Sequence, residues 1–173
     1  MARDILKTLQ AEHDALRELF AEMERTTDRA KKRRADLLAE IEANLLPHAK
    51  WEETVFYPAF AERTNRDGLK THAEAVQEHR AVELTVLPDL KGQSVETPAF
   101  AGSAKVLGEL VDHHATEEEK TMFKLARKLF TAQERAQLDE EYEEWKASPA
   151  AAVIVAQAEG KSGVKAAFRA ALN

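Results

Sequence analysis

His48-Ala-Lys-Trp-Glu52 and His114-Ala-Thr-Glu-Glu118 are the two stretches that decide how this chain reads. In each, a histidine and a glutamate stand four residues apart, one turn along the same face of a helix. Each pair can therefore hold one cation between imidazole and carboxylate. A further histidine precedes each pair by 35 positions, His13 before His48 and His79 before His114. The two triplets are offset by 66 residues throughout: His13 to His79, His48 to His114, Glu52 to Glu118. Two such half-sites facing each other would make a two-metal centre.

Working outward from these residues, the apolar periodicity predicts four long helices. The first runs over about 4–24, with Leu6, Leu9, Leu16, Phe20 and Met23 sharing a stripe with His13. The second covers about 30–60, and its stripe of Leu38, Ile41, Leu45, Val55 and Phe56 includes His48 and Glu52. Pro47 and Pro58 each remove a backbone donor and crowd the preceding turn, so a bend beside His48 and an ending near Tyr57-Pro58 are expected. Asn65-Arg-Asp-Gly68 reads as a loop. A third helix over about 70–90 carries Val76, His79, Val82 and Val86, with a kink or fraying expected at Pro88. Residues 91–98 form the clearest linker, and a fourth helix over about 99–130 brackets His114 and Glu118 with Leu107, Leu110, Val111, Met122 and Leu125. Thr131 and Glu134 form a capping box that opens a shorter fifth helix ending near Lys146. Ser148-Pro149 is expected to close it, leaving an Ala-rich tail, packed or loosely helical, without evident chemistry.

The expected fold is all-α, an up-down-up-down four-helix bundle over 1–130 with a helical extension over 131–173 packed on the same domain. The first hairpin has a leg of about 13 residues from His13 to the turn and about 17 back to His48. At 1.5 Å per residue these are roughly 20 and 25 Å, so the histidines return to nearly one level. The second hairpin repeats this arithmetic, and a bundle would bring all six residues into one interior layer.

Composition excludes several alternatives. There is no cysteine, hence no disulfide, iron–sulfur cluster, thiolate zinc site or cysteine nucleophile. The net charge of −6 gives no nucleic-acid footprint, and the basic run Arg29-Ala-Lys-Lys-Arg-Arg34 reads as a solvated helix entry. No stretch approaches 18 uninterrupted apolar residues, and the N-terminus carries charges where a signal peptide needs an apolar segment. A cytoplasmic setting with no membrane span is expected.

Buried carboxylates are strongly unfavourable unless paired or bound to metal. Glu52 and Glu118 lie on apolar stripes with four histidines, so six polar side chains would share a core level. That combination calls for metal. Nitrogen and carboxylate donors without thiolate suit iron, manganese or zinc. Bundle cores with inward carboxylates favour two metals, His13 with His48 on one, His79 with His114 on the other, and Glu52 and Glu118 bridging. Such a set leaves coordination positions for water, oxygen or peroxide.

The order His13, His48-x-x-x-Glu52, His79, His114-x-x-x-Glu118, with Glu52-Glu53-x-x-x-Tyr57-Pro58, resembles the hemerythrin-like, HHE cation-binding domain. The resemblance covers about residues 1–130. It implies a non-haem di-iron centre of two iron ions, oxo- or hydroxo-bridged, ligated by His13, His48, Glu52, His79, His114 and Glu118. Family members variously bind oxygen, sense oxygen or iron, or process peroxide and nitric oxide. Oxygen carriers of the family have another histidine one turn before the helix-three ligand, where this chain has Ala75. Their last carboxylate is an aspartate at a spacing of five, against four for Glu118. The implied site is one imidazole poorer and more open, favouring peroxide or oxygen turnover, of catalase or oxidase type, over reversible carriage. The competing reading is a module that senses or buffers iron or oxygen without turnover, and a third is a zinc-bound or metal-free structural bundle.

Neighbouring residues read as bystanders. His113 with Glu117 offers an alternative register but breaks the 66-residue repeat and belongs on the surface. His72 is two turns from His79, roughly 10 Å along the axis. Glu83, one turn beyond His79, could bind, but its repeat counterpart is Arg17. Phe56 is expected to line the pocket, Tyr57 to pack elsewhere on the helix, and Glu53 and Glu119 to face solvent or support the ligands.

Overall fold

The computed structural model describes residues 3–158. Among them are six helices: α1 (Ile5–Arg25), α2 (31–61), α3 (66–91), α4 (98–129), α5 (Ala132–Lys146) and α6 (Pro149–Ala158). No described helix is long and apolar enough to cross a membrane.

Local chemistry sets the helix starts. Asp4 caps α1 by accepting from the Leu6 amide, and Thr97 caps α4, with Pro98 at the first turn, where its missing N–H costs nothing. The capping box at Thr131 and Glu134 opens α5 as the sequence predicts. The expected loop at 65–68 is instead the first turn of α3, capped by the Asn65 side chain on the Gly68 amide. Glycine is required there because a Cβ at Gly68 would lie 1.9 Å from Thr64 Oγ1. The Ser148-Pro149 break is also briefer than expected, since Pro149 begins α6. The rest of the Ala-rich tail, 159–173, lies outside the described residues.

The four long helices run up-down-up-down, with α1 packed on α2 and α4, and α3 packed on the end of α2 and on α4. Two apolar clusters fill the bundle. One holds Leu9, Trp51, Phe56, Phe60, Phe123 and their neighbours, and the other Leu16, Ile41, Leu45, Leu90, Phe100 and Leu107. Each fully buried large side chain contributes about 1.5–3 kcal/mol relative to exposure. His13 lies between Leu9 of one cluster and Leu16 of the other, so a polar layer separates two apolar blocks. The basic entry of α2 is only partly solvated. Arg34 is buried, donating to Thr26 Oγ1, Asp28 and the Val95 carbonyl, because the α1–α2 and α3–α4 connections meeting there present acceptors that need a donor.

None of the three internal prolines ends its helix. Pro47 sits within regular α-helix, while the irregularity falls at a π-helical turn, Glu52–Phe56. α2 then continues to Ala61. α3 repeats the device, a π-turn at Val82–Val86 followed by Pro88, and runs on to Lys91. The wider turn gives the following proline ring room that an α-turn would deny it.

Candidate metal centre

Three π-turns lie beside the polar layer, at 52–56, 82–86 and 118–122. In each the backbone N–H bonds the carbonyl five residues back, Tyr57 to Glu52, Leu87 to Val82 and Phe123 to Glu118. In an α-helix, residues five apart are about 140° apart around the axis. The π-turn removes most of that angle, so Tyr57 returns to the face of Glu52 and Phe123 to that of Glu118. π-turns recur at functional sites.

All six residues expected as ligands meet in this layer, each at most 8% exposed. The Nε2 atoms of His13 and His48 are 3.1 Å apart, and those of His79 and His114 2.9 Å. Ligand edges around a cation with bonds of 2.0–2.1 Å are roughly 2.9 Å for octahedral and 3.4 Å for tetrahedral geometry. Each carboxylate spans both histidine pairs. Glu52 lies 3.2 Å from His48 Nε2 and 3.6 Å from His79 Nε2. Glu118 lies 3.4 Å from His13 Nε2 and 3.6 Å from His114 Nε2. Two cation-sized groups result: His13, His48, Glu52 and Glu118 in one, and Glu52, His79 and His114 in the other.

The donor set fits metal on a direct criterion. Both oxygens of Glu52 and Oε2 of Glu118 are buried and receive no hydrogen bond. Native interiors rarely leave such atoms unsatisfied, and charged ones least of all. Without metal, protons take the place of cations. Burial opposes a charged His48, but Glu52 and Glu12 outweigh it and raise its pKa to about 10. His114 is raised by Glu118 and Glu78 against the same burial. Burial also opposes ionisation of Glu118, yet His114 and His13 hold it well below the usual carboxylate range.

Behind these six residues stands a second repeated set. His48 Nδ1 donates to Glu12 at 2.8 Å and His114 Nδ1 to Glu78 at 2.8 Å. His13 Nδ1 donates to Glu119 at 3.0 Å and His79 Nδ1 to Glu53 at 3.2 Å. Such bonds fix the tautomer, leave Nε2 free to ligate and raise its basicity. Glu12 and Glu78, and Glu53 and Glu119, obey the same 66-residue offset. Glu12 and Glu78 escape the sequence reading, although each immediately precedes a repeat histidine, the signal that could have found them.

Tyr57 departs most from expectation. Its hydroxyl donates to Glu118 Oε1 at 2.8 Å and lies 3.4 Å from both His79 Nε2 and His114 Nε2. Burial first, then the Glu118 and Glu52 charges, raises its pKa well above the ordinary value, so it remains a phenol. Its repeat counterpart is Phe123. Tyr57 stacks on His79 at 5.5 Å and Phe123 on His13 at 5.8 Å, so at this pair of positions the halves match in shape and differ by one hydroxyl. His72, expected two turns away, packs edge-on against the Tyr57 ring. Ala75, Phe56 and Tyr57 are buried in one apolar cluster, and Phe56 lines neither cavity that reaches the layer. Glu83 is exposed and apart from both donor groups, and the His113 imidazole is 61% exposed whereas His114 is buried in the layer.

Two cavities reach the layer. One of about 670 Å³ between α1 and α4 ends at His13. The other, about 470 Å³, lies against His79 and His114, with Leu45, Val82 and Leu87 among its walls and Glu53, Glu78 and Glu83 also lining it.

The fold and the buried histidine–carboxylate layer define a helical-bundle cation-binding domain. The model of the hemerythrin HHE cation-binding domain matches residues 4–147, and the chain belongs to that family. That span extends through α5. A crystal structure of a hemerythrin HHE cation-binding domain-containing protein from Mycobacterium kansasii is similar in fold, with a TM-score of 0.68 and 23% identity over 94% of this chain and 91% of that one. No curated protein sequence matches significantly.

Proposed function

We propose that this chain is a non-haem di-iron protein that reacts with oxygen, hydrogen peroxide or a related small molecule. The observation that carries the proposal is the set of three buried carboxylate oxygens without hydrogen-bond donors, placed between two histidine pairs. His13 and His48 would hold one iron and His79 and His114 the other, with Glu52 and Glu118 shared between them. When bound, two iron ions would give two electrons to a small oxygen species that is reduced, or take two from one that is oxidised.

The protein's own residues supply orientation, access and a proton. Glu12, Glu53, Glu78 and Glu119 aim the four Nε2 atoms inward. The two cavities are wide enough for a molecule as small as peroxide to reach the layer. Tyr57 holds a proton at its hydroxyl oxygen beside the His79 and His114 pair, and Phe123 offers none at the other pair. A substrate oxygen that gains negative charge would therefore find its donor at one end only. Peroxide disproportionation, two hydrogen peroxide to two water and one oxygen, balances without an outside reductant.

Protein expressed with ample iron should contain close to two iron ions per chain by elemental analysis. It should consume peroxide and evolve oxygen at an electrode in proportion to its iron content. Iron bound at that stoichiometry without peroxide or oxygen turnover would select the sensing or buffering reading. One zinc ion per chain, or no metal, would refute the di-iron reading.

A further inference from the structure

The 66-residue repeat is broken where its outer carboxylates meet solvent. Glu12 and Glu78 correspond, and each uses Oε2 to accept from a ligand histidine at 2.8 Å. What their other oxygens meet differs. Glu12 Oε1 accepts from the Lys146 ammonium at 2.7 Å, and Tyr142 of α5 also donates to Glu12. That helix closes over Trp51, whose ring lies 4.7 Å from the ring of Tyr142. At the other half, the residues matching Pro47 and Trp51 are His113 and Glu117. Glu78 Oε1 faces the His113 imidazole at 3.5 Å, and His113 Nε2 lies 3.8 Å from Glu117. Among the described residues the ion-pair partners of Glu78 are His113 and His114.

We propose that Glu78, His113 and Glu117 form a second, outer cation site, for a divalent transition metal of the zinc or copper class. It stands where Lys146 supplies a fixed positive charge to the other half. Three features carry this. One donor atom from each of the three residues lies within 4.8 Å of the others. The spacings of 3.5 and 3.8 Å are too long for good hydrogen bonds. They are close to the roughly 3.4 Å edge of a tetrahedral site with bonds near 2.0–2.1 Å. His113 and Glu117 are an i, i+4 pair on one helix face, so the backbone already sets two of the three donors. Glu78 is oriented from behind by His114, and only its outward oxygen is needed. One imidazole and two carboxylates, part exposed, leave room for water as a fourth ligand, and nitrogen and oxygen donors suit zinc and copper(II). A cation there would draw on the same carboxylate that orients His114, placing an external metal one residue from the buried centre.

The test uses the full-length, iron-loaded protein, titrated with zinc chloride in a non-chelating buffer by calorimetry, with iron measured before and after. We expect one zinc per chain taken up without loss of iron. His113→Ala and Glu117→Gln should each weaken that uptake about tenfold or more, as loss of a metal's supporting groups does, with iron content unchanged. With copper(II) as the probe, paramagnetic resonance should show coupling to one imidazole nitrogen, lost in His113→Ala. Uptake equal in wild type and both variants overturns the site, as does no uptake at all. Zinc gained only as iron is lost also overturns it, since the metal would then have entered the buried layer. Because iron content is read separately, failure of the outer site is distinguishable from failure of the di-iron reading.

Discussion

Replacing Glu52 by methionine should have opposite effects on the metal-free and metal-loaded protein. Glu52 is fully buried, and neither carboxylate oxygen receives a hydrogen bond. An unsatisfied buried polar atom costs about 1–3 kcal/mol, so two oxygens cost roughly 2–6 kcal/mol. His48 at 3.2 Å and His79 at 3.6 Å offset part of that. A net gain of about 2–4 kcal/mol is therefore expected when an unbranched apolar side chain fills the space, in line with replacement of other buried ion pairs. Removing one partner of a buried pair usually leaves a stranded charge, but an imidazole can release its proton. For a chain of this size, about 2–4 °C accompanies each kcal/mol. The chelated variant should thus melt about 4–16 °C above chelated wild type by scanning calorimetry. Adding iron should raise the melting temperature of wild type and leave the variant nearly unchanged. A chelated Glu52→Met protein that melts below chelated wild type would refute the argument that this carboxylate is held for a cation.

Tyr57→Phe removes one hydrogen bond to a buried carboxylate, and the chelated protein should lose about 1.5–3 kcal/mol in urea unfolding. Phe123 at the corresponding position indicates that the ring itself will fit, so a collapse of the fold would contradict the assignment. Thr131→Ala, which breaks the capping box of α5, should cost about 1 kcal/mol by the same measurement. Acid should unfold the chelated protein by way of its depressed carboxylates. For Glu12, lowered to about 2 against burial by His48, Lys146 and Tyr142, the contribution is full above the unfolded value of 4.5 and lost as pH falls toward 2. Melting temperature followed from pH 6 to pH 3 should fall less steeply in Glu12→Gln than in wild type. Glu118→Ala should lower iron content while His72→Ala leaves it near that of wild type, and loss in His72→Ala would mean the layer is drawn in the wrong place.

Much of this protein was legible in one dimension because its chemistry is periodic. The four helices, the capping box at Thr131 and the convergence of six repeat residues all follow from helical spacing and a 66-residue offset. The supporting Glu12 and Glu78 were missed, although each adjoins a repeat histidine, His13 or His79. Tyr57 was not legible, because its place depends on one extra residue in the turn at 52–56. An α-helical count puts it on another face, and nothing in Glu52–Phe56 announces the wider turn. Nor could spacing foresee that Lys146 and Tyr142, 134 and 130 residues from Glu12, close one half of the layer while His113 and Glu117 leave the other open. Repeats and caps are local, so the chain writes them directly. The phase of a π-turn and the landing place of a fifth helix depend on how already formed helices pack, and only the tertiary structure decides them.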